Sequence, residues 1–528
     1  MRVVDKNEMK EIESRSSSEY GFTEGLIVET VGISGANYIV DNHLSNKKYG
    51  EIVFMIGKGN NGADSLSIAR NLQNKGYVCR AFILFPDEGS NELVNQISMA
   101  KKFGVKISEI RNVEQISSYF TQTQDEYIVV DGILGTGFRS PISNYLFEII
   151  NIINTNKTKT ISVDIPSGVN GDTGEISSTA IYADVTLAIC LPKVGLYIGE
   201  GAKLGGNIVS LYSGIPNELF NGGDKFLLDP LENSLLFKNR NKFDHKNRFG
   251  HVLVIGGSPG LCGALCLASE AALKVGAGLV TAVTWEKNYL DLSSKVLPEV
   301  MTGVIPSTEN EKVVESNLRD MEKYEAVVIG PGMGLSENTR EIVLYVLNNF
   351  SGPVVLDADA IKVLSLDKDK NTFLSRKAPT VITPHIGEFA QFTSQNKENV
   401  LENPIGLIKD VVDSLNCCIV LKSSSTFIAF PSGEIFINYF PNDGMATGGS
   451  GDVLAGIIGG LMGQVKPERA QSQLFRKPDP FYESICLGVM AHSLSGKYAT
   501  QSLGSRSMTA GAIIDHLSKT FIEMENRR

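Results

Sequence analysis

The segment EIVFMIGKGNNGADSLSIAR, residues 51–70, places an apolar strand, a glycine-rich turn and an amphipathic helix in direct succession. The same succession recurs as far as about Ser210. Strands that alternate with helices are typical of a parallel sheet covered on both faces, so an α/β, doubly wound domain is predicted. Its predicted strands are 51–57, 77–84, 127–131, 160–164 and 184–189, and its predicted helices are 63–75, 91–103 and 141–155.

A second series of strands and helices begins at HVLVIGG, residues 251–257. The intervening residues 213–250 are rich in turn formers and lack periodicity, which indicates a boundary near 215–226. We therefore predict two α/β domains, 1–218 and 226–528. The further predicted elements are strands at 279–284, 326–330, 353–357, 380–383 and 418–422, a hairpin of 427–430 with 434–438 around PSG, and helices at about 450–463, 481–500 and 509–518.

Composition limits the class of protein and its compartment. The 528 residues are 42% hydrophobic and 20% charged, which fits a globular protein of several domains and excludes a disordered or fibrous one. The net charge of −10 argues against a nucleic-acid partner. The N-terminus lacks a signal-peptide core, no apolar run has transmembrane length, and the seven cysteines are scattered. A cytoplasmic protein with reduced thiols and no membrane contact is expected.

Three carboxylates follow strands of the predicted N-terminal sheet, where ligands of open α/β sheets bind. Asp64 lies in the glycine-rich turn GKGNNGADSLSIAR, residues 57–70, while Asp131 and Asp164 end their strands. The turn alone fits an anion at a helix start, or a tight turn in which Asp64 caps a helix that begins near Ala63. Convergence of the three carboxylates on one crevice predicts a site for a cation, a sugar hydroxyl or proton transfer.

Five motifs of this half together resemble the NAD(P)H-hydrate epimerase domain over most of residues 1–215. They are TEGLIVETVG (23–32), NNGADS (60–65), DGILGTG (131–137), VDIPSG (163–168) and LPKVG (191–195). The resemblance implies a Rossmann-like fold that interconverts the R and S forms of hydrated NADH and NADPH.

The resemblance also implies roles for individual residues. Asp164 would be the catalytic acid or base, and potassium would be bound by Asn61, Asp131 and Ser167. Lys193 either assists by its charge or is a solvated loop lysine. The residues implied to bind the hydrated substrate are Asn60, Asn61, Gly62, Ala63, Asp64, Gly135, Thr136, Gly137, Phe138, Arg139, Ser140, Pro141 and Asp164.

Two positions depart from the family sequence NNGGDG, because Ala63 and Ser65 replace glycines. If either position requires a positive φ, the loop would be strained or remodelled. Substrate binding is therefore expected more firmly than turnover, and a cofactor-binding module without activity stays open as the alternative for this half.

The segment NDGMATGGSGDVLAGIIGGLMG, residues 442–463, places a glycine-rich turn before an apolar helix with Asp452 in its first turn. The N–H groups of such a turn suit phosphate charge, and a neighbouring carboxylate can activate a hydroxyl for phosphoryl transfer. Asp452 could instead only complement the helix dipole. Two further strand ends each allow two interpretations. His385, beside Glu388, has either a catalytic or a structural role. Lys422 begins either a phosphate-binding loop or a polar turn.

These motifs, with IGPGMG (329–334), VLDADA (355–360) and GGSPGLCGALCLASEAALKVGAGLV (256–280), resemble the ADP- or ATP-dependent NAD(P)H-hydrate dehydratase of the ribokinase-like superfamily, over 240–520. The resemblance implies a ribokinase-like α/β sandwich in which Asp452 acts on the S hydrate, with Mg²⁺ and ADP or ATP as co-substrate. Substrate contacts would come from Ala264, Gly332, Gly334, His385 and Asp452, and nucleotide contacts from Lys422, Ser423, Ser424, Ser425, Thr426, Gly448, Gly449, Ser450 and Gly451. Ser423 departs from the glycine that is usual in this loop.

The two resemblances in one chain imply a bifunctional repair enzyme for hydrated nicotinamide cofactors. Its first domain would interconvert the epimers, and its second would restore NADH or NADPH from the S form at the expense of ADP or ATP. A homo-oligomer is expected. The alternative is a C-terminal small-molecule kinase fused to a non-catalytic cofactor-binding module.

Overall fold

The computed structural model describes residues 1–45, 49–123, 126–137, 141–156, 159–228, 240, 242–306, 320–465, 475 and 479–526. The chain divides into two compact units, one of Arg2–Gly223 and one of Asp224–Arg528 together with Met1. We retain the limits 1–218 and 226–528 as a proposal for the two functional domains. Within the described residues, none of the helices combines the length and apolar character needed to cross a bilayer.

The first unit is built on one parallel sheet. Its described strands are β1 (Glu51–Ile56), β2 (Cys79–Ile83), β3 (Lys106–Glu109), β4 (Tyr127–Gly132), β5 (Lys159–Val163), β6 (Val185–Ile189) and β7 (Asn207–Leu211). They form seven strands in the order β3-β2-β1-β4-β5-β6-β7, and all neighbours are parallel. The order reverses between β1 and β4, which is where open α/β sheets bind ligands. The edge strands β3 and β7 escaped prediction because polar residues interrupt them.

Helices cover both faces of this sheet. They are α1 (Lys6–Tyr20), α2 (Glu24–Ile39), α3 (Asn60–Asn74), α4 (Asn91–Lys102), α5 (Val113–Gln122), α6 (Asn144–Thr155) and the short α7 (Gly201–Leu204). Alternate residues of β1 divide the core: Ile52, Phe54 and Ile56 join the cluster beneath α1 to α4, while Val53 and Met55 join the cluster beneath α5 and α6.

Helix α3 begins at Asn60, not near Ala63, so the substrate loop expected from the sequence forms the first turns of a helix. Its N-cap is Gly59, and Asp64 lies in the second turn; the capping role considered for Asp64 is therefore wrong. Neither Ala63 nor Ser65 has a positive φ. Both fit a helical backbone, and the strain considered for these two departures does not arise.

The second unit contains a larger mixed sheet. Its described strands are β8 (Lys225–Leu227), β9 (His251–Ile255), β10 (Leu279–Trp285), β11 (Met301–Ile305), β12 (Ala326–Ile329), β13 (Val354–Leu356), β14 (Thr380–Ile382), β15 (Cys418–Leu421), β16 (Ser425–Ala429) and β17 (Ile435–Tyr439). Their order is β11-β10-β9-β12-β13-β14-β15-β16-β17-β8 among the described residues. Strands from β11 to β15 are parallel, and the predicted antiparallel hairpin of β16 and β17 is confirmed.

The described helices of this unit are α8 (Cys262–Lys274), α9 (Tyr289–Lys295), α10 (Glu337–Asn349), α11 (Asp359–Lys362), α12 (Leu366–Ser375), α13 (Ile386–Phe392), α14 (Lys397–Glu402), α15 (Pro404–Leu415), α16 (Ser450–Met462), α17 (Pro480–Leu503), α18 (Ala510–Asp515) and α19 (Leu517–Asn526). They account for the helices predicted at 450–463, 481–500 and 509–518, the last of which is divided in two.

Helix α16 lies in the core because glycines let it approach its neighbours closely. A Cβ atom at Gly456 would lie 2.1 Å from the carbonyl oxygen of Ala268 in α8, and one at Gly459 would lie 2.1 Å from Val328 Cγ2 in β12. Both distances are far below van der Waals contact, so only glycine fits at either position. The helix is held between α8 and the sheet, which fixes the position of its first turn, where Asp452 lies.

Candidate active sites

The first unit contains a pocket of about 1110 Å³ at the carboxyl ends of β1, β4 and β5. Its size suits a large organic ligand. The residues expected to bind the hydrated substrate that line it are Asn60, Asn61, Asp64, Gly135, Thr136, Gly137, Pro141 and Asp164. Gly62 and Ala63 are buried within α3 and do not line the pocket. Phe138, Arg139 and Ser140 lie outside the described residues.

Asp164 and Lys193 form a buried ion pair in the pocket wall. Lys193 Nζ lies 2.5 Å from Asp164 Oδ1 and donates a second hydrogen bond, of 3.1 Å, to the carbonyl oxygen of Ile189. Lys193 is only 2% exposed, so its interpretation as a solvated loop lysine is wrong. Asp164 has a φ of 67°, which is costly for a residue other than glycine and is typical of a functional position.

Asp64 lines the same pocket and differs from Asp164 in its environment. Its side chain is buried and makes no hydrogen bond within the described part of the chain. Loss of hydration raises its pKa well above the ordinary value, and the nearby Asp164 and Glu13 raise it further. The pocket therefore contains one carboxyl group whose pKa is raised by burial and a second that is paired with a lysine.

Asn61, Asp131 and Ser167, expected to bind potassium, lie close together at the ends of β1, β4 and β5. Asp131 is fully buried and accepts hydrogen bonds from the Ser167 hydroxyl at 2.5 Å, the Ser167 N–H at 2.9 Å and the Ser162 hydroxyl at 2.8 Å. Asn61 donates from Nδ2 to the carbonyl oxygen of Leu134 at 2.9 Å. Its Oδ1 atom is buried without a hydrogen-bond partner among the described residues.

The sequence did not reveal that helix α1 forms one wall of this pocket. The lining residues of α1 are Lys6, Met9, Lys10, Glu13, Ser14 and Ser17. Their spacing of three and four residues places them on one helical face, and this signal was present in the sequence. The pKa of Glu13 is raised, chiefly because the surrounding protein reduces its hydration.

In the second unit, Asp452 lies in the first turn of α16, as the sequence predicted. Burial raises its pKa to about 7, and the negative charge of Asp357 contributes in the same direction, while Lys422 opposes both. A carboxylate with a pKa near neutrality can exchange protons at physiological pH. The alternative interpretation, in which Asp452 only complements the helix dipole, does not account for this environment.

A second carboxylate, that of Asp357, positions Lys422 beside the start of α16. Its Nζ atom lies 2.7 Å from Asp357 Oδ1, which also accepts a hydrogen bond of 2.7 Å from Thr383 Oγ1. A Cβ atom added to Gly451 would lie 3.0 Å from Lys422 Nζ. The ammonium group is therefore adjacent to the N–H groups at the helix N-terminus, and the two together make an anion site.

His385 has a structural role at the start of α13. Its Nδ1 atom accepts hydrogen bonds from the N–H groups of Gly387 at 2.9 Å and Glu388 at 3.2 Å, and Glu388 in turn accepts from the His385 N–H at 3.0 Å. Desolvation lowers the pKa of His385, which agrees with an unprotonated Nδ1. The ring nevertheless remains exposed, so capping and ligand contact are compatible.

The other residues expected to contact ligands occupy neighbouring loops. Gly332 and Gly334 have φ values of 62° and 81°, and Gly334 donates its N–H to Asp359 Oδ2 at 2.9 Å. A Cβ atom at Gly332 would lie 3.2 Å from Ala264 Cβ, so these two expected substrate contacts are adjacent.

The expected nucleotide-binding residues differ in accessibility. The exposed ones are Ser423, Ser424 and Gly448, and the half-buried ones are Lys422, Thr426, Gly449, Ser450 and Gly451. Ser425 is buried in β16. The buried His492 contacts Ser450, because its Nε2 lies 3.0 Å from the Ser450 carbonyl oxygen.

The sequence interpretation missed the charged groups that surround Asp452. Asp357, Asp359 and Glu388 each raise its pKa, and Lys362 links the last two at 3.1 Å and 3.5 Å. The motif VLDADA after a predicted strand was the signal that could have identified the two aspartates.

Comparison with known proteins supports the same two activities. Residues 26–195 match the family described as YjeF-related protein N-terminus, and residues 252–519 match the family described as NAD(P)H-hydrate dehydratase. The bifunctional NAD(P)H-hydrate repair enzyme Nnr of Moorella thermoacetica is 32% identical over 99% of this chain and 97% of its own length. The enzyme of the same name from Thermofilum pendens is 30% identical over 98% of this chain and 96% of its own length.

Among solved structures, the ADP/ATP-dependent NAD(P)H-hydrate dehydratase of Bacillus subtilis, co-crystallised with ATP and Mg²⁺, is 25% identical, with a TM-score of 0.47. The structural match covers 57% of this chain and 98% of the Bacillus subtilis chain. The predicted fold class, a Rossmann-like sheet followed by a ribokinase-like α/β unit, is confirmed by the family matches and the strand orders. The family matches and the near full-length identity to the repair enzymes place this chain in the family of bifunctional NAD(P)H-hydrate repair enzymes.

Proposed function

We propose that this chain performs both reactions of its family on hydrated NADH and NADPH. The first unit interconverts the R and S epimers, and the second dehydrates the S epimer with ADP or ATP. The observation that carries this proposal is the presence of two carboxylate sites, one in each unit. One pairs Asp164 with Lys193 beside Asp64, whose pKa is raised by burial, and the other sets Asp452 beside Lys422 at a helix N-terminus.

Epimerisation needs a proton donor and a proton acceptor at the hydroxylated ring carbon, which is bonded to the ring nitrogen. Asp64, which favours its protonated form, is suited to donate to the hydroxyl group as it departs. Asp164, which is ion-paired with Lys193, is suited to accept a proton from the water that adds to the opposite face. The substrate would be bound by the expected residues that line the pocket, namely Asn60, Asn61, Asp64, Gly135, Thr136, Gly137, Pro141 and Asp164.

Asn61, Asp131 and Ser167 fit a potassium ion. The buried Oδ1 of Asn61 has no hydrogen-bond partner in the described part of the chain, and an oxygen in that condition is costly unless a ligand satisfies it. Burial raises the pKa of the nearby Asp131, so a negative charge on that side chain would need a cation beside it. A bound potassium ion would neutralise that charge and fix the loops at the ends of β1 and β4.

Dehydration needs a better leaving group than hydroxide. Asp452 would take the proton of the substrate hydroxyl while that oxygen attacks the terminal phosphorus of the nucleotide, with AMP or ADP as the leaving group. Lys422 and the N–H groups of the turn at Gly449 to Gly451 would hold the developing negative charge. Loss of phosphate from the ring carbon and of a proton from the adjacent carbon then restores the double bond of NADH or NADPH.

The loops around Asp452 provide separate surfaces for the two ligands of this reaction. Ala264, Gly332, Gly334 and His385 would contact the hydrated ring, and residues 422–426 and 448–451 would hold the adenine nucleotide. Four carboxylates and two lysines surround the site, namely Asp357, Asp359, Glu388 and Asp452 with Lys362 and Lys422. This excess of negative charge fits a nucleotide that carries Mg²⁺, the pair with which the Bacillus subtilis relative was crystallised.

A single assay tests the proposal. The protein is incubated with a mixture of R- and S-NADH hydrate, Mg²⁺, K⁺ and either ADP or ATP, and the absorbance of regenerated NADH is followed. Complete recovery is expected with at least one nucleotide. No recovery with either would contradict the dehydratase assignment, and recovery that stops at the S fraction would contradict the epimerase assignment. Phosphorylated product that accumulates without NADH would instead favour a kinase.

The remaining predictions concern the environment of the protein. We propose a cytoplasmic homo-oligomer that acts on small molecules, without a nucleic-acid or membrane partner. The acidic net charge of −10 supports the absence of a nucleic-acid partner.

A further inference from the structure

The wall that α1 gives to the epimerase pocket carries a row of cationic and hydroxyl groups. Lys6, Lys10 and Ser14 follow one another at four-residue spacing, and all three line the pocket. Residues four apart are neighbours on a helix surface. Met9, Ile12 and Ser16 of α1 are buried, so the packing of these positions fixes the orientation of the row.

Backbone contacts hold α1 against the catalytic pair. The N–H of Val4 donates to the carbonyl oxygen of Pro192 at 3.1 Å, and the N–H of Val194 donates to Val4 at 3.1 Å, so a short bridge encloses Lys193. The N–H of Lys6 donates to Asp172 Oδ1 at 2.8 Å. Helix α1 is therefore a fixed element of the site, although it precedes residue 26, where the family match begins.

The cations that line the pocket are not equivalent. Lys193 is paired with Asp164, Lys58 lies 2.5 Å from Glu88, and Lys6 lies 3.5 Å from Asp172. Within the part of the chain that the structure describes, Lys10 forms no ion pair or hydrogen bond through its ammonium group, and it is exposed. Glu13 on the same wall interacts with Lys10 only through space, so the ammonium group of Lys10 is available to bind an anion.

The distribution of charge orients a dinucleotide in this pocket. At the catalytic end Lys193 is already paired with Asp164, so among the described residues that end offers no unpaired cation to a phosphate group, and the anionic part of the substrate belongs at another wall. We propose that Lys6, Lys10 and Ser14 form the subsite for the pyrophosphate of the hydrated dinucleotide. This inference rests on the epimerase function proposed above, and it assigns to α1 the binding of the half of the substrate that does not react.

Kinetics of the full-length protein test the subsite, with K⁺ present and without adenine nucleotide or Mg²⁺. For R-NADH hydrate, Lys10→Ala is expected to raise KM about 3- to 10-fold and to leave kcat within about twofold, and Lys10→Arg to restore KM. The same change in KM is expected with NADPH hydrate. The hydrate of reduced nicotinamide mononucleotide has no pyrophosphate, so its KM should respond less. Lys102→Ala, at an exposed position of α4 outside the pocket, is the matched control.

A second measurement does not depend on turnover. Lysine acetylation is followed by mass spectrometry with and without the mixture of NADH hydrates, and protection of Lys10 without protection of Lys102 is expected. Protection in a protein that does not epimerise would support the subsite and overturn the proposed activity. Epimerisation with an unchanged KM in Lys10→Ala and no protection would overturn the subsite. A rise in the KM of Lys10→Ala that is confined to NADPH hydrate would overturn the pyrophosphate assignment and would assign the 2′-phosphate to this subsite instead.

Discussion

Lys193 Nζ and Asp164 Oδ1 lie 2.5 Å apart, with both side chains almost fully removed from solvent. Removing one partner of a buried pair leaves an uncompensated charge, so Lys193→Met should destabilise the first unit by about 3–5 kcal/mol. Epimerisation should be lost, and dehydration of the S hydrate should be retained. The measurements are the thermal unfolding transitions and the two separate rates.

The matched control for this change is Lys203→Met, because Lys203 also pairs with a carboxylate but at the surface. Its Nζ lies 2.6 Å from Glu200, and the two side chains are 66% and 47% exposed. A loss below about 1 kcal/mol and normal epimerisation are expected. Equal losses in the two variants would show that the buried pair has no special importance.

Asp452→Asn should abolish dehydration and leave epimerisation intact. The amide keeps the size of the side chain but cannot accept the proton of the substrate hydroxyl, and loss of such a base costs about 10²- to 10⁴-fold in rate. The S hydrate should accumulate to its equilibrium share with the R form, measured by chromatography. Asp291→Asn, at an exposed position in the first turn of α9, should leave both activities unchanged. Loss of both activities in Asp452→Asn would contradict the division between the two units.

The rate of dehydration should rise with pH through about 7, the pKa of Asp452. A base acts in its ionised form, so the rate should fall about tenfold for each pH unit below the pKa and level off above it. Asp357 raises this pKa by repulsion, and Asp357→Asn should therefore shift the acid limb of the profile to lower pH. A shift in the opposite direction, or none, would exclude Asp452 as the titrating group.

Potassium should stabilise the first unit through Asn61. An ion that binds only the folded state raises the unfolding temperature with its concentration, and lithium at equal ionic strength should have a smaller effect. Asn61→Leu removes the buried oxygen that has no partner among the described residues, so it should remove the potassium dependence. Asn71→Leu on the same helix, where the amide bonds to the Ser67 carbonyl, should retain that dependence. Potassium dependence that survives in Asn61→Leu would reject the assigned ligand.

Ser65 and Gly132 should behave as a coupled pair. A Cβ atom at Gly132 would lie 2.0 Å from Ser65 Oγ, so Gly132→Ala should destabilise the first unit by about 1–3 kcal/mol. The second change Ser65→Gly removes the clashing hydroxyl and should recover part of that loss. Unfolding in denaturant of the two single variants and the double variant gives the coupling energy, and strict additivity would contradict direct contact.

The sequence was sufficient for the architecture because apolar strands and glycine-rich turns alternate so regularly. A strand end identified Asp164, since parallel strands present their carboxyl ends at one edge, and the glycine-rich turn before an apolar helix identified Asp452. Two features escaped prediction for physical reasons. The helical start at Asn60 depends on the cap at Gly59, which the motif does not distinguish from a loop. The pairing of Lys422 with Asp357 joins residues 65 positions apart, and local patterns do not encode such contacts.

The approach of Gly456 to Ala268 has a consequence for motion in the second site. A helix enclosed so tightly cannot shift without opening the core, and its amides should exchange with deuterium only on global unfolding. The catalytic carboxylate is therefore carried on a rigid support, and the cost of reorganising it during the reaction is small. Accommodation of the nucleotide is therefore expected in the exposed turns at Ser423, Ser424 and Gly448 rather than in α16.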